Sequence, residues 1–557
     1  MAEERSVQMI LPGGVIEEVM LSPNAHLKTL ADRYASRFDF PILGAICDNR
    51  VVSLEGKVNS CSRIELITMR DKNGRLIFLR SLLFVFIKAA KEMFPHAQLH
   101  IEYGIGNGLY CYFEGLEYIR LEEVEELEKK MREMIAQDLR FIRKEVPTAE
   151  AVRLFKEAGM PDKVRLFSTR TDATSSVYYL GGSIDYFYGH LAYATGAITD
   201  FRLQYYNRGI VLLLPDQNDP AKVEAFKDQP KFFNIITENK KWLDILDLEN
   251  CGQLNEAVRR GRAKEIVLVQ ESLHEKKLAI IADEIHRRRE VVRVISIAGP
   301  SSSGKTTTAQ RLAIQLRVNG FRPLLISLDN YFVDREKTPL DEHGKHDYEG
   351  LEAIDVALFN EQLTRLLQGK GTNLQRYDFI TGKSMRGETK YRLPRNGVII
   401  VEGIHGLNPK LFTELNYDRI YKVYVSALAN LNIDHHNRIP TTDCRIIRRM
   451  VRDSQFRGHD AIATIDRWPS VRRGEERNIF PYQERADIMF NSSLVYELSV
   501  LRKYAEPLLQ QITPDRREHL EARRLLKFLS FFEPIDETFI PFNSIIREFI
   551  GGSAFDY

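Results

Sequence analysis

Short apolar runs alternate with helical stripes along the second half of the chain. ISIAG (295–299), LLISLD (324–329), VIIVEG (398–403) and YKVYVS (421–426) are rich in β-branched residues and stop at polar or glycine positions. Between them, Ala309, Leu312, Ala313 and Leu316, and then Leu351, Ile354, Leu358, Phe359, Leu363 and Leu366, recur at helical spacing. Strands alternating with helices predict an α/β domain over 291–512, a doubly wound parallel sheet whose ligands bind beyond the carboxyl ends of the strands. The front of the chain reads differently. Residues 1–70 show short alternating strands (Val7, Met9, Leu11; Val15, Val19, Leu21) around one helix (Leu27, Leu30, Ala31, Tyr34), the pattern of a small β-grasp domain. Residues 71–215 form an α+β unit, in which Leu121, Val124, Leu127, Met131 and Met134 make an apolar helix stripe. Asp216, Asn218, Asp219 and Pro220 mark a loop that opens a helical linker over 216–290, and 513–557 reads as a helical tail without chemistry of its own.

The first strand of the α/β domain runs into Gly299, Pro300, Ser301, Ser302, Ser303, Gly304, Lys305, Thr306 and Thr307. Strand, G-x-x-x-x-G-K-T and helix in that order predict a P-loop NTPase-type domain. Its glycines fold backbone N–H groups around phosphate oxygens, and the helix N-terminus adds favourable partial charge. Lys305 then reaches the outer phosphates of ATP and the Thr306 hydroxyl stands on Mg²⁺. Asp329, at the end of the next apolar run, is the candidate general base and a second Mg²⁺ contact; Glu402, at the tip of a buried strand, is the third. Arg445, Arg448, Arg449 and Arg452 fall on one helix face, with Arg457 beyond, and predict a mobile cationic lid over the transferring phosphate. Arg449 and Arg452 are its candidate catalytic members, and Arg457 a candidate ATP contact.

Bulk properties narrow the setting more than the chemistry. The 557 residues exceed a single core, and a formal charge of +2 gives no general pull toward nucleic acid or membrane. Five scattered cysteines without a C-x-x-C pair fit a reducing compartment. The start of the chain carries no apolar signal core, and the run Leu82–Ala90 contains Lys88 and is too short to span a bilayer. Together these predict a cytoplasmic protein. His435 and His436, adjacent on a loop, read as polar residues rather than metal ligands.

The segments ISIAGPSSSGKTT, ISLDNYF, RYDF, VIIVEGI and RIIRRMVRDSQFRG resemble, in that order, the uridine kinase branch of the uridine kinase and phosphoribulokinase family. The first 70 residues resemble the TGS domain, and 71–215 resemble the editing domain of threonyl-tRNA synthetases. The layout thus resembles multidomain nucleoside kinases. That resemblance implies an ATP- and Mg²⁺-dependent kinase acting on the 5′-hydroxyl of a nucleoside such as uridine or cytidine. It assigns catalysis to Asp329 with Lys305, ribose to Glu352, and the base to Tyr377, with Lys383 and Arg449 as further substrate contacts. Two departures leave the acceptor open to another small hydroxyl compound: Glu352 replaces an aspartate, and Gly382 stands where the family has a histidine. His459 likewise stands for a final lid arginine. In the editing-like unit, the family's H-x-x-x-H pair falls on Arg80 and Phe84, and its C-x-x-x-H pair on Phe187 and Leu191, with His190 one place away. Without those imidazoles and that thiolate, no editing hydrolysis is expected. The expected partners are ATP and a nucleoside, with no membrane; self-association is compatible with this reading. The synthetase-like front half leaves room for a third reading, an ATP-switched RNA-binding or regulatory protein.

Overall fold

The computed structural model describes residues 4–556 except Ser60, Asn218, His343 and Asn430. Asn218, one of the loop markers above, therefore lies outside the described residues.

The front module is a five-stranded mixed sheet. Strand Arg5–Leu11 pairs antiparallel with Val15–Leu21 and parallel with Arg63–Ile67, and Gly44–Cys47 and Arg50–Val52 complete the sheet. Helix Leu27–Tyr34 covers it with Leu27, Leu30, Ala31 and Tyr34, the residues its periodicity put on the apolar face. In the second module the apolar run 82–90 lies inside the buried helix Lys72–Met93, where Lys88 reaches Glu92 at 2.7 Å. Among the described residues no helix is long and apolar enough to cross a membrane. Helix Leu121–Ala136 buries Val124, Leu127, Met131 and Met134, while Leu121 is exposed at its first position.

Helices Pro230–Leu246, Cys251–Arg259 and Ala263–Arg287 follow. They are core elements rather than a spacer: Ile266, Leu278, Ile281 and Ile285 are buried in the same apolar cluster as Ile295, Leu312 and Ile400 of the α/β domain. Burying those four side chains contributes roughly 1.5–3 kcal/mol each, which welds the segment to the domain it precedes.

The α/β domain carries five parallel strands in the order Arg322–Ser327, Gly397–Glu402, Val294–Ala298, Ile420–Ser426 and Ile488–Asn491. Strands Val294–Ala298 and Gly397–Glu402 are buried along their whole length, as continuous apolar runs in a sheet covered on both faces must be. The phosphate-loop strand is central, so its loop opens at the middle of the sheet's carboxyl edge. The tail closes the same core: Phe528, Leu529, Ile545, Ile546 and Phe549 are all buried.

A buried ionic cluster joins the second module to this domain. Lys163, fully buried, lies 3.1 Å from Asp185 and 3.2 Å from Asp434, and His436 Nδ1 lies 2.7 Å from Asp185. Asp434 and His436 belong to the segment just before helix Thr441–Phe456. His435 and His436 are therefore interface residues, buried rather than on an open loop.

Candidate functional site

Strand Val294–Ala298 delivers the chain to a tight loop in which Ser302 (φ 57°) and Gly304 (φ 77°) take left-handed backbone. Helix Lys305–Val318 starts directly after it, with no side chain capping its first N–H groups. The Lys305 ammonium turns back to donate to the Pro300 carbonyl at 3.2 Å. The Ser302 and Ser303 hydroxyls are buried without partners. Uncapped N–H groups, two orphaned hydroxyls and an ammonium around one loop form a donor set suited to phosphate oxygens.

Register places the acids opposite this loop. Glu402 pairs with Ile297 on one side and Ser327 on the other. Strand Arg322–Ser327 ends before Asp329, which sits in the following 3-10 turn Leu328–Tyr331 rather than at the strand end. Burial, then the neighbouring Asp329, push the Glu402 carboxyl up to about 7, against the opposing pull of Lys305. Burial in turn lowers the Lys305 ammonium, while Glu402, Asp329 and Glu548 hold it up. Lys305, Asp329 and Glu402 thus share one crevice. Two carboxylates that repel each other beside a phosphate-type loop fit a hard divalent cation such as Mg²⁺, which usually takes one or two carboxylates and completes its shell with water and phosphate oxygen. Asp329, Glu402 and Thr306, in the first turn of the helix, are the residues that could hold it.

The arginine helix Thr441–Phe456 divides its charges between two tasks. Arg445 and Arg448 are fully buried and face inward, which corrects the reading of all four arginines as an open stripe on a mobile lid. Arg445 pairs with Glu475 and donates to the Ser301 carbonyl at 2.9 Å. Arg448 pairs with Glu497 and donates to the Ser492 carbonyl at 3.0 Å. Ile446, Ile447, Met450 and Val451 pack the same helix into the core. The helix is a fixed wall behind the phosphate loop. Arg449 reaches the Ser301 hydroxyl at 2.9 Å. Asp453, buried among Arg449, Arg452 and Arg457 at 3.3, 2.9 and 3.7 Å, gathers the three guanidinium groups that face the crevice. Arg452 lies within electrostatic reach of Lys305, and Arg457 within reach of Asp329.

On the acceptor side the structure adds two residues that sequence patterns did not single out, Glu349 and His405, to the expected Glu352, Tyr377 and Lys383. Glu349 lies between the acids and the arginines: burial pushes its carboxyl up to about 7, Asp329 and Asp347 add to that, and Arg449 and Lys305 oppose it. Glu352 is exposed, within electrostatic reach of His405. His405 is fully buried; burial pulls it down to about 4 despite a contact with the Gly350 backbone and the nearby Asp329, Glu352 and Asp347. Tyr377 is buried with its ring 5.6 Å from Phe332 and 5.1 Å from Phe379. Lys383 is exposed and paired with Glu336 at 3.1 Å. At Gly382 a Cβ would come within 2.7 Å of Arg335 Nε, so an arginine fills the space beside the aromatic group.

Residues 294–498 match the Phosphoribulokinase / Uridine kinase family. Uridine kinase of Staphylococcus aureus is 31% identical over 197 residues, which span 35% of this chain and 86% of that enzyme. The chain belongs to this family. Its front half is similar to threonine–tRNA ligase: the enzyme of Clostridium kluyveri is 30% identical over 155 residues, 28% of this chain and 24% of the ligase. The chain thus spans about a quarter of the length of that relative. A solved chain described as a possible uridine kinase from Bacillus stearothermophilus is 21% identical and covers 38% of this chain and 97% of its own length, with a TM-score of 0.26.

In this family member the tail adds a residue to the site. The Thr307 hydroxyl donates to Glu548 at 2.6 Å, and Ile545 fills the space beside Gly304. No local pattern flags Glu548, since its partner lies in a helix far back along the chain. In the synthetase-like module, Phe84, Phe187 and Leu191 are buried, and the rings of Phe84 and Phe187 lie 5.5 Å apart. Hydrocarbon thus fills three of the four positions that the resemblance matches to the editing family's imidazoles and thiolate, and the Arg80 guanidinium takes the fourth.

Proposed function

We propose that the chain transfers the terminal phosphoryl group of ATP to the 5′-hydroxyl of a nucleoside. The observation that carries this reading is the single crevice shared by Lys305, Asp329 and Glu402. The acceptor oxygen attacks the γ-phosphorus as the bond to the β-γ bridging oxygen breaks; its proton passes to Asp329, and ADP leaves with that bridging oxygen. Lys305, Arg449, Arg452 and Arg457 hold the charge that spreads over the transferring group. Mg²⁺, when bound, supplies charge neutralisation across the outer phosphates. Tyr377, Phe332 and Phe379 offer an aromatic wall for a planar base. Glu349 is the carboxylate nearest this crevice that could accept from a sugar hydroxyl, and His405, buried behind it, could orient it.

The arginine beside Gly382 favours a second reading, in which the acceptor is a small hydroxyl compound with its own acidic or carbonyl group. A panel of nucleosides, sugars and hydroxy acids, with ADP release as readout, separates the two. The kinase reading itself is tested by Asp329→Asn. Retained ATP binding with transfer reduced by about 10²-fold or more is expected; near-normal turnover removes Asp329 from the role.

A further inference from the structure

Cationic side chains gather in the synthetase-like module around the positions where the editing family has its site. Arg80 is only 9% exposed, and its guanidinium lies over the Tyr188 ring at 5.1 Å. Among the described residues no carboxylate pairs with it. A Cβ on residue 189 would stand 2.1 Å from Arg80 Nη1, so Gly189 is what lets the guanidinium lie there. Arg170 is equally covered, its side chain 9% exposed, and it stacks over Phe531 at 4.6 Å. One of its nitrogens pairs with Asp172, while Nε and Nη1 are buried without partners. His190 flanks the same place, its ring bonded to the Val51 backbone and its Nδ1 buried without a partner. Lys527 extends from helix His519–Leu529 toward the same place, and Arg143 flanks it from strand Ile142–Pro147, 3.5 Å from Glu145.

The Tyr188 and Phe531 rings lie 6.4 Å apart, which brings the two guanidinium groups stacked on them to one place, where the charges act on one another. Lys527 is exposed at the rim; partial desolvation, with Arg170, Arg80 and Arg143 pushing the same way against Asp172, pulls it down to about 8. Burial pulls His190 down to about 4, with Arg143, Arg80 and Lys527 adding to it. Arg524 also repels Arg80 but is itself neutralised by Asp443 and Glu521. Four permanent or near-permanent cations therefore face two carboxylates, Asp172 and Glu145. Unpaired buried guanidinium donors cost several times a neutral unpaired donor, and gathering them without counter-charge costs more. Such an arrangement gains when an anion completes it.

We propose that Arg80, Arg170 and Lys527 form a binding site for a phosphate group of a small molecule. Two guanidinium forks and an ammonium converging from different elements suit the oxygens of a tetrahedral phosphate better than the two oxygens of a planar carboxylate. The Tyr188 and Phe531 rings supply an apolar flank for the rest of the ligand. The site is distinct from the phosphate loop, and it does not depend on the kinase reading.

The test uses the full chain carrying Lys305→Ala, so that the phosphate loop does not dominate the response. Thermal melts are compared in inorganic phosphate, in acetate and in chloride at equal ionic strength. The expected result is a rise of several degrees in phosphate only, by mass action on the folded state. Adding Arg170→Gln and Lys527→Glu is expected to abolish that rise. In chloride alone Lys527→Glu is expected to melt no lower than its parent, because it relieves repulsion, and a marked fall there counts against the repelling cluster. An equal response to acetate overturns the assignment to phosphate. An undiminished phosphate response in the Arg170→Gln/Lys527→Glu variant, or none in the parent, overturns the site.

Discussion

Thr307 and Glu548 meet at 2.6 Å, joining the first turns of the phosphate-loop helix to the short terminal helix Arg547–Ile550. A carboxylate from the tail thereby sits within electrostatic reach of both Lys305 and Glu402. Glu548→Ala is expected to lower stability by about 1–3 kcal/mol, the usual cost of stranding a buried hydrogen-bonding group. It is also expected to weaken ATP binding several-fold. Urea unfolding and a nucleotide titration check both. No change in either means the tail merely lies alongside.

Arg448 and Glu497 form a buried pair behind the phosphate loop. Arg448→Met leaves Glu497 charged and uncompensated, and a loss of about 3–5 kcal/mol is expected in chemical denaturation. The double variant Arg448→Met/Glu497→Leu is expected to recover most of it, since a packed apolar pair avoids the desolvation cost altogether. If the double variant is as unstable as the single one, the pair is not what ties helix Thr441–Phe456 to the core.

The Glu402 carboxyl titrates near 7 in the folded chain against an ordinary 4.5. Between those values the folded state holds a proton that the unfolded state releases. Stability contributed by this group is therefore highest at low pH and falls as pH rises through 7. Glu402→Gln removes that loss. Without divalent cation, its stability relative to the unaltered protein is expected to improve by on the order of 2–3 kcal/mol between pH 4.5 and pH 8. Glu349, raised to about 7 in the same way, contributes a fall of the same sign to both proteins and cancels in the comparison. Urea midpoints across that range measure it. A constant offset between the two proteins contradicts a raised Glu402.

Helix Ala461–Asn478 passes so close to Glu349 that a Cβ at Gly474 would lie 2.3 Å from the Glu349 Cβ. Gly474→Ala is expected to displace Glu349 from the acceptor side. The acceptor KM then rises on the order of tenfold or more while the ATP KM changes little. Equal changes in both constants show instead that the substitution disturbs the whole crevice.

Local chemistry made some of this site legible, and its limits explain the rest. Glycines, a lysine and a threonine at fixed spacing after a β-branched run describe a phosphate loop wherever they occur. Carboxylates that end apolar runs must emerge at the carboxyl edge of a parallel sheet, which is how Asp329 and Glu402 could be picked out. Arg445 and Arg448 were misjudged because guanidinium groups ordinarily mark a solvated face; here their inward direction is set by Glu475 and Glu497, acids on later helices. The helices of 216–290 carry an apolar stripe, Ile266, Leu278, Ile281 and Ile285, that a reading centred on loop markers passed over. Glu349, His405 and Glu548 have no motif of their own. They matter through what the tertiary fold packs against them.

The Lys163–Asp185–Asp434–His436 knot has a further consequence for how this protein can be dissected. Scission between its synthetase-like and phosphate-binding halves would leave Asp434 on one fragment and its neutralising ammonium on the other. Lys163 would keep Asp185 beside it, but Asp434, a few residues ahead of the helix that backs the phosphate loop, would lose its ammonium. The two halves are thus tied by a charge that the phosphate-binding half cannot neutralise through this cluster alone.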